Sequence, residues 1–193
     1  MDLPGRAGSR GVSDALEQLQ ERVGYRFEEV RHLREAVTHS SFAHENGGTD
    51  NERLEFLGDA VLQAASTLLL MERFPGEREG VLSRLRSRIV STTALASLGR
   101  ELSIRNALLL GVGEAATGGD DRDSNIACAM EAVLGAIQRD GGFDAVLDAV
   151  GRLWASRIGE LEADGSKTRW KDARSRLQER TQDSLRLAPH YVI

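Results

Sequence analysis

Apolar residues recur every three or four positions along most of this chain, the spacing of helices that bury one face. Ala15, Leu16, Leu19 and Val23 set that rhythm over residues 14–23, and Val30, Leu33, Ala36 and Val37 repeat it. Asn46-Gly47-Gly48-Thr49-Asp50 reads as a loop before a long helix, which Pro75-Gly76 closes. Leu82, Leu85, Ile89, Leu95, Leu98 and Leu102 mark a second long helix. Residues 111–123 form a Gly-rich acidic loop, expected to be mobile. Residues 124–139 are helical, Asp140-Gly141-Gly142 breaks the helix, and residues 143–158 form one more. The expected fold class is all-α, without internal repeats. Residues 1–12, with their Gly, Arg and Ser, read as a loose tail.

Composition narrows the picture. With 193 residues, 40% of them hydrophobic and 28% charged, the chain matches an ordinary globular protein of one domain plus a fragment. Aromatics are only 5%, so the core must be aliphatic. No apolar run is expected to reach the length of a membrane span. The N-terminus lacks a secretory pattern. A single cysteine excludes an internal disulfide and fits a reducing cytoplasm. The net charge of -5 argues against a nucleic-acid partner, but its distribution does not. From residue 166 onward seven Lys or Arg face three acids, a net of +4, which leaves -9 on the first 165 residues. The basic end is either a solvated linker or a segment that meets phosphate.

The chemistry concentrates in Asn51-Glu52-Arg53-Leu54-Glu55-Phe56-Leu57-Gly58-Asp59-Ala60-Val61-Leu62. Glu52, Glu55 and Asp59 stand at i, i+3 and i+7, on one helical face. Glu55 and Asp59, four residues apart, repel each other. Buried carboxylates would have to neutralise or find a cation, and a divalent metal with oxygen ligands resolves the conflict. A solvated face beside the apolar stripe of Leu54, Leu57, Ala60, Val61 and Ala64 is the other reading; spacing alone leaves both open.

This segment resembles the signature of the ribonuclease III family, which cuts double-stranded RNA using magnesium. The likeness continues in Gly24-Tyr25-Arg26-Phe27, in Leu33-Arg34-Glu35-Ala36-Val37-Thr38-His39-Ser40-Ser41, and in Glu79-Gly80-Val81-Leu82-Ser83-Arg84-Leu85-Arg86. It closes on Glu131-Ala132-Val133-Leu134-Gly135-Ala136-Ile137 and Asp140-Gly141-Gly142, so that it covers roughly residues 13–158. The resemblance implies a helical endonuclease domain over 13–159 that leaves 5′-phosphate and 3′-hydroxyl ends. It implies Glu55, Asp59 and Glu131 as metal ligands, with Asp59 and Glu131 catalytic, Mg2+ as cofactor and Mn2+ as a substitute. Glu52 would contact water or substrate at the edge of the acidic face, and Glu79 would position RNA. Phe56 matches an aromatic that packs into a second subunit, which implies a homodimer. His39 falls in a motif that reads as hydrogen-bonding core. His44 has no acidic partner at fixed spacing to make it a general base. Arg84, Arg86 and Arg88 spread over different helix faces; one or two of them could touch phosphate, with surface ion pairing the favoured reading.

Beyond a polar linker at 160–171, residues 172–182 resemble the first helix of a double-stranded RNA-binding domain, and Ala188-Pro189-His190-Tyr191-Val192-Ile193 its first strand. The rest of that α/β module is missing from the sequence, so duplex binding is expected to be weak and steeply salt-dependent. The chain also departs from the family at Ala127-Cys128-Ala129-Met130-Glu131-Ala132, where Cys128 stands at an expected aspartate ligand. A thiol is a poor ligand for magnesium. Two functions follow: an endonuclease, active or weakened at Cys128, and a non-catalytic dimeric relative that binds structured RNA or a protein partner.

Overall fold

The structure, a computed structural model, describes residues 6–165. Among them are nine α-helices: α1 (Arg6–Val23), α2 (Val30–Ala36), α3 (Ser40–Asn46), α4 (Glu52–Arg73), α5 (Glu79–Ile89), α6 (Thr92–Glu101), α7 (Val112–Ala116), α8 (Asp123–Leu153) and α9 (Ala155–Gly165). The described residues include no strand, only an isolated bridge between Thr38 and Leu109, and the all-α expectation holds. The RNA-binding segment at 172–193, residues 1–5 of the tail and residues 166–171 of the linker lie outside the described residues.

The core is built around α8. From Ile126 to Ile137 it is buried on nearly every side, with Ala127, Ala129, Met130, Ala132, Val133, Leu134 and Ala136 all inside. A helix apolar all round belongs in a core. Helix α4 runs against α8, α2 and α6 also pack on it, and α5 packs on α4. Where α4 meets α8 the contact is backbone on backbone. A Cβ at Gly58 would overlap the carbonyl oxygen of Glu131, and a Cβ at Gly135 would overlap that of Leu54. Only glycine on both helices permits this approach.

A second tie holds α2 to α8. The Asp140 carboxylate, its side chain almost fully buried, accepts hydrogen bonds from the Glu28 and Glu29 backbone N–H groups at 2.9 and 3.0 Å. It also accepts from the Tyr25 hydroxyl at 2.8 Å and faces His32 Nδ1 at 3.3 Å. Those donors hold the carboxyl below its usual pKa despite burial. Trp154, between α8 and α9, is buried and donates its indole N–H to the Ile89 carbonyl at 2.9 Å, which closes the end of α5.

Several sequence expectations change. The first helix begins at Arg6, so residues 6–12 of the expected loose tail are helical, and Val12 packs against the core. The second long helix is two. Ser91 caps α6 by accepting from the Ala94 N–H, which interrupts the chain while both helices keep their apolar faces inward. The acidic loop at 111–123 is built rather than loose. It holds α7 and a short 3-10 turn, Gly119–Asp121, and arginines satisfy its acids: Arg105 on Asp120 at 2.7 Å, Arg100 on Asp121 at 2.9 Å and on Asp123 at 2.6 Å, and Arg122 on Glu114. The break near Asp140 is a kink at Gly142 (φ 78°), after which helix resumes directly. The expected linker begins inside α9, where Leu161 is buried in the core. Finally, α4 is long and apolar enough to cross a membrane by length and composition, contrary to expectation. Its buried stripe of Leu54, Gly58, Leu62, Ala65 and Leu70 marks it as a core helix.

Gly135→Ala is expected to cost about 3 kcal/mol or more, because backbone atoms of α4 cannot yield as a side chain would. Gly113→Ala, with nothing near its Cβ position, should cost under about 1 kcal/mol. Thermal or urea melts of the two variants check this, and equal stability would contradict the crossing.

Candidate active site

The glycine crossing decides which side chains meet. Glu55 lies one turn before Gly58 and Asp59 directly after it; Glu131 lies one turn before Gly135, and Cys128 nearly one turn earlier. Bringing the two glycines into contact brings these four together. Glu52, Glu55, Phe56, Asp59 and Glu131 line one open cleft of about 480 Å³. Glu52 and Asp59 are exposed, while Glu55 and Glu131 are half-buried. Gln63 donates to Asp59 Oδ1 at 3.3 Å.

The electrostatics follow from that convergence. Burial first, then the charges of Asp59 and Glu55, push the Glu131 carboxyl up to about 7. Burial also pushes the Cys128 thiol up to about 12, helped by Glu55 as its hydrogen-bond partner and by the charges of Glu55 and Glu131. The thiol therefore stays protonated and acts as a donor, not as a thiolate ligand. The three carboxylates offer the hard oxygens that magnesium or manganese takes; the thiol does not. Among the described residues, no three His, Cys, Asp or Glu are gathered closely enough to enclose a metal ion as they stand.

Other sequence-predicted residues fall elsewhere. Glu79 opens α5 and accepts from Ser83 Oγ at 2.8 Å. It lines a mostly apolar groove of about 380 Å³ with Thr67, Leu70, Met71, Leu82, Ser83 and Arg86, not the acidic cleft. Phe56 stands at the cleft rim with 83% of its surface exposed. His39 caps α3, its Nδ1 accepting from the Ser41 N–H at 3.2 Å, which agrees with its structural reading. His44 is exposed and lines no part of the cleft. Arg86 reaches Thr67 Oγ1 at 2.8 Å rather than an acid, which corrects the ion-pair reading for that residue. Asp120, Asp121 and Asp123, the acids just upstream of Cys128, are held by arginines. Sequence reasoning missed the glycine pair and the role of Asp140. Glycines inside helical patterns were the available signal for the first.

The chain is similar to known proteins in both sequence and fold. A family model described as Ribonuclease-III-like matches residues 30–157. Ribonuclease 3 of Oleidesulfovibrio alaskensis is 47% identical over 180 residues, covering 92% of this chain and 77% of that protein. Ribonuclease 3 of Syntrophobacter fumaroxidans is 45% identical over 185 residues, covering 94% and 76%. The structure is similar to the nuclease domain of ribonuclease III from Campylobacter jejuni, described as flexible in a region involved in dimer formation. The TM-score is 0.70 with 34% identity, over 75% of this chain and 99% of that one. Dicer from Pichia stipitis shares the fold at 21% identity and a TM-score of 0.54, over 86% of this chain and 72% of that one.

The raised Glu131 carboxyl sets a pH dependence. Between its ordinary 4.5 and about 7, the folded protein holds a proton that the unfolded chain releases. Stability of the metal-free protein therefore falls as pH rises through that window. Glu131→Gln removes the titrating group. In EDTA, its Tm should fall less than that of wild type between pH 5 and 8, and it should melt higher at pH 8. Parallel Tm–pH curves would show that Glu131 is not strained by its neighbours.

Proposed function

The chain belongs to the ribonuclease III family, and from that premise we propose that it is an endonuclease that hydrolyses double-stranded RNA, leaving 5′-phosphate and 3′-hydroxyl ends. The observation that carries the reading is the convergence of Glu55, Asp59 and Glu131 from two helices into one cleft. Reactions of this family depend on a metal ion, taken here as Mg2+, with Mn2+ as a substitute. When bound, the metal supplies a water of lowered pKa and charge relief at the phosphate. Glu55, Asp59 and Glu131 would hold it, and Asp59 and Glu131 stand nearest the chemistry. Glu131 must lose its proton for the cleft to take a cation, so loading strengthens above neutral pH. Glu52, exposed on the same cleft, contacts water or substrate, and Glu79 positions RNA from the start of α5. No observation favours the non-catalytic alternative, since every acid of the pattern but the one at Cys128 is present.

Cys128 is the weak point. Cys128→Asp is expected to raise cleavage of a long duplex in magnesium and tighten magnesium binding, each by about tenfold or more. Manganese should partly rescue wild type, because it accepts softer or fewer ligands. Glu131→Gln should abolish activity. If Cys128→Asp is no better than wild type in magnesium, this account of the site is wrong. A wild type and a Cys128→Asp variant both inert in both metals would sink the endonuclease reading itself.

The working form is a homodimer. One subunit offers one acidic cluster, whereas cutting both strands of a duplex takes two. Phe56 is an exposed aromatic knob on α4, and the groove between α4 and α5 is an apolar recess with Leu70, Met71 and Leu82 on its walls. An aromatic anchor seated in such a pocket of the second copy is worth at least about 2 kcal/mol on truncation. Phe56→Ala should therefore weaken a dimer seen by sedimentation. A wild-type monomer at micromolar concentration would refute the arrangement.

The proposed layout is a nuclease domain over 13–159, a linker at 160–171 and the start of an RNA-binding domain at 172–193, with α9 carrying the first unit several residues further. A cytoplasmic site of action fits the single, half-buried Cys128.

A further inference from the structure

On the neighbouring face of the same first turns of α4 lies a second cleft, of about 380 Å³, lined by Glu35, Thr49, Arg53, Leu54, Leu57 and Arg139. Two of its lining residues are arginines from two different helices, Arg53 on α4 and Arg139 on α8. Arg139 is engaged only at 3.5 Å, with Glu35, and its side chain remains 54% exposed. Arg53 is exposed and has no hydrogen-bond or ion-pair partner among the described residues. Two arginines and one carboxylate, Glu35, line this recess, which leaves its lining with one positive charge in excess.

The position matters as much as the charge. Arg53 follows Glu52 directly, so it points about 100° further round the helix than the acidic face. The acidic cleft and the arginine cleft thus open on adjacent sides of one helix about 10–12 Å across. If a strand that places one phosphate at the carboxylates runs on past this end of α4, its neighbouring phosphates meet these arginines. Phosphates there would otherwise meet the acids of a body that carries a net -9. The planar fork of arginine matches a phosphate with two parallel donors.

We propose that Arg53 and Arg139 form a subsite for a backbone phosphate of the RNA strand, a few nucleotides away from the scissile one. It rests on the duplex-RNA reading above. Glu35 holds Arg139 in reserve and yields it when the phosphate arrives. Leu54 and Leu57 floor the recess against sugar, and Thr49 offers a hydroxyl at its edge.

The test is a salt titration of duplex-RNA binding in EDTA, where no cleavage occurs, on wild type, Arg53→Gln, Arg139→Gln and Arg53→Lys. Each lost phosphate contact lowers the slope of log K against log salt by about 1. Both glutamine variants should show that loss and bind several-fold more weakly, while Arg53→Lys keeps most of the slope. Sedimentation of each variant should show an unchanged oligomeric state. A wild type that binds duplex, with slopes unaltered in the variants, overturns the subsite and leaves the substrate reading standing. A wild type that does not bind duplex overturns both. Loss of the dimer in Arg53→Gln would make the cleft a contact between copies. Loss of binding to inorganic phosphate alone, with the duplex slope intact, would make it a site for free anions. Either result overturns the proposal.

Discussion

Everything chemical in this molecule depends on two helices touching without side chains between them. Helices normally pack 8–10 Å apart because side chains intervene. Gly58 and Gly135 remove those side chains, and the backbones of α4 and α8 close on each other. The gain is not burial at the glycines themselves, which contribute no apolar surface. It lies in what flanks them. Glu55 and Asp59 on one helix and Glu131 on the other are carried to the edge of the contact, where they share one cleft. The apolar surroundings of α8 then provide both the rigidity of the site and its electrostatic cost.

That cost is visible in the protonation of the cluster. A carboxyl pushed up to about 7 and a thiol pushed up to about 12 stand on the same helix three residues apart. Both respond to the same shortage, that of positive charge in a partly dry place. An aspartate at position 128 would have added a fourth anion to this cluster; cysteine adds none. The metal-free protein carries less internal repulsion as a result, and the cleft carries less attraction for a small hard cation. Stability without metal and affinity for metal thus pull in opposite directions at one residue.

The helix that the sequence pattern announces most clearly is α2, which packs by one regular stripe. In α4 the apolar face expected from Leu54, Leu57, Ala60, Val61 and Ala64 is not the buried one, since Ala60 and Ala64 are exposed and the core stripe is Leu54, Gly58, Leu62, Ala65 and Leu70. The pattern is weakest where distant residues decide. Nothing local in residues 111–123 shows that Arg100 and Arg105 return to neutralise its acids. The rhythm of Leu85, Ile89, Leu95 and Leu98 runs straight through the Ser91 cap, because both helices face the same core. Glu52, Glu55 and Asp59 were legible as a face from spacing alone. Glu131 was not, since a lone acid in an Ala-rich helix says nothing until its neighbours in space are known. Gly58 and Gly135 stand in plain view, yet their meaning is a pairing across 77 positions of the chain. Asp140 read as a helix breaker, and the structure makes it an acceptor for a distant turn.

That last feature bears on the order of assembly. The bonds from Tyr25, Glu28, Glu29 and His32 to Asp140 join residues 108 to 115 positions apart. Such contacts close a long loop of chain, whose entropy must be lost before they form. The helices of the α4–α8 core can dock first, and the corner that carries α2 is latched afterwards. Interactions made after the rate-limiting step govern how fast a protein comes apart rather than how fast it forms. Where it closes after that step, the Asp140 latch acts as a brake on unfolding rather than as an aid to folding.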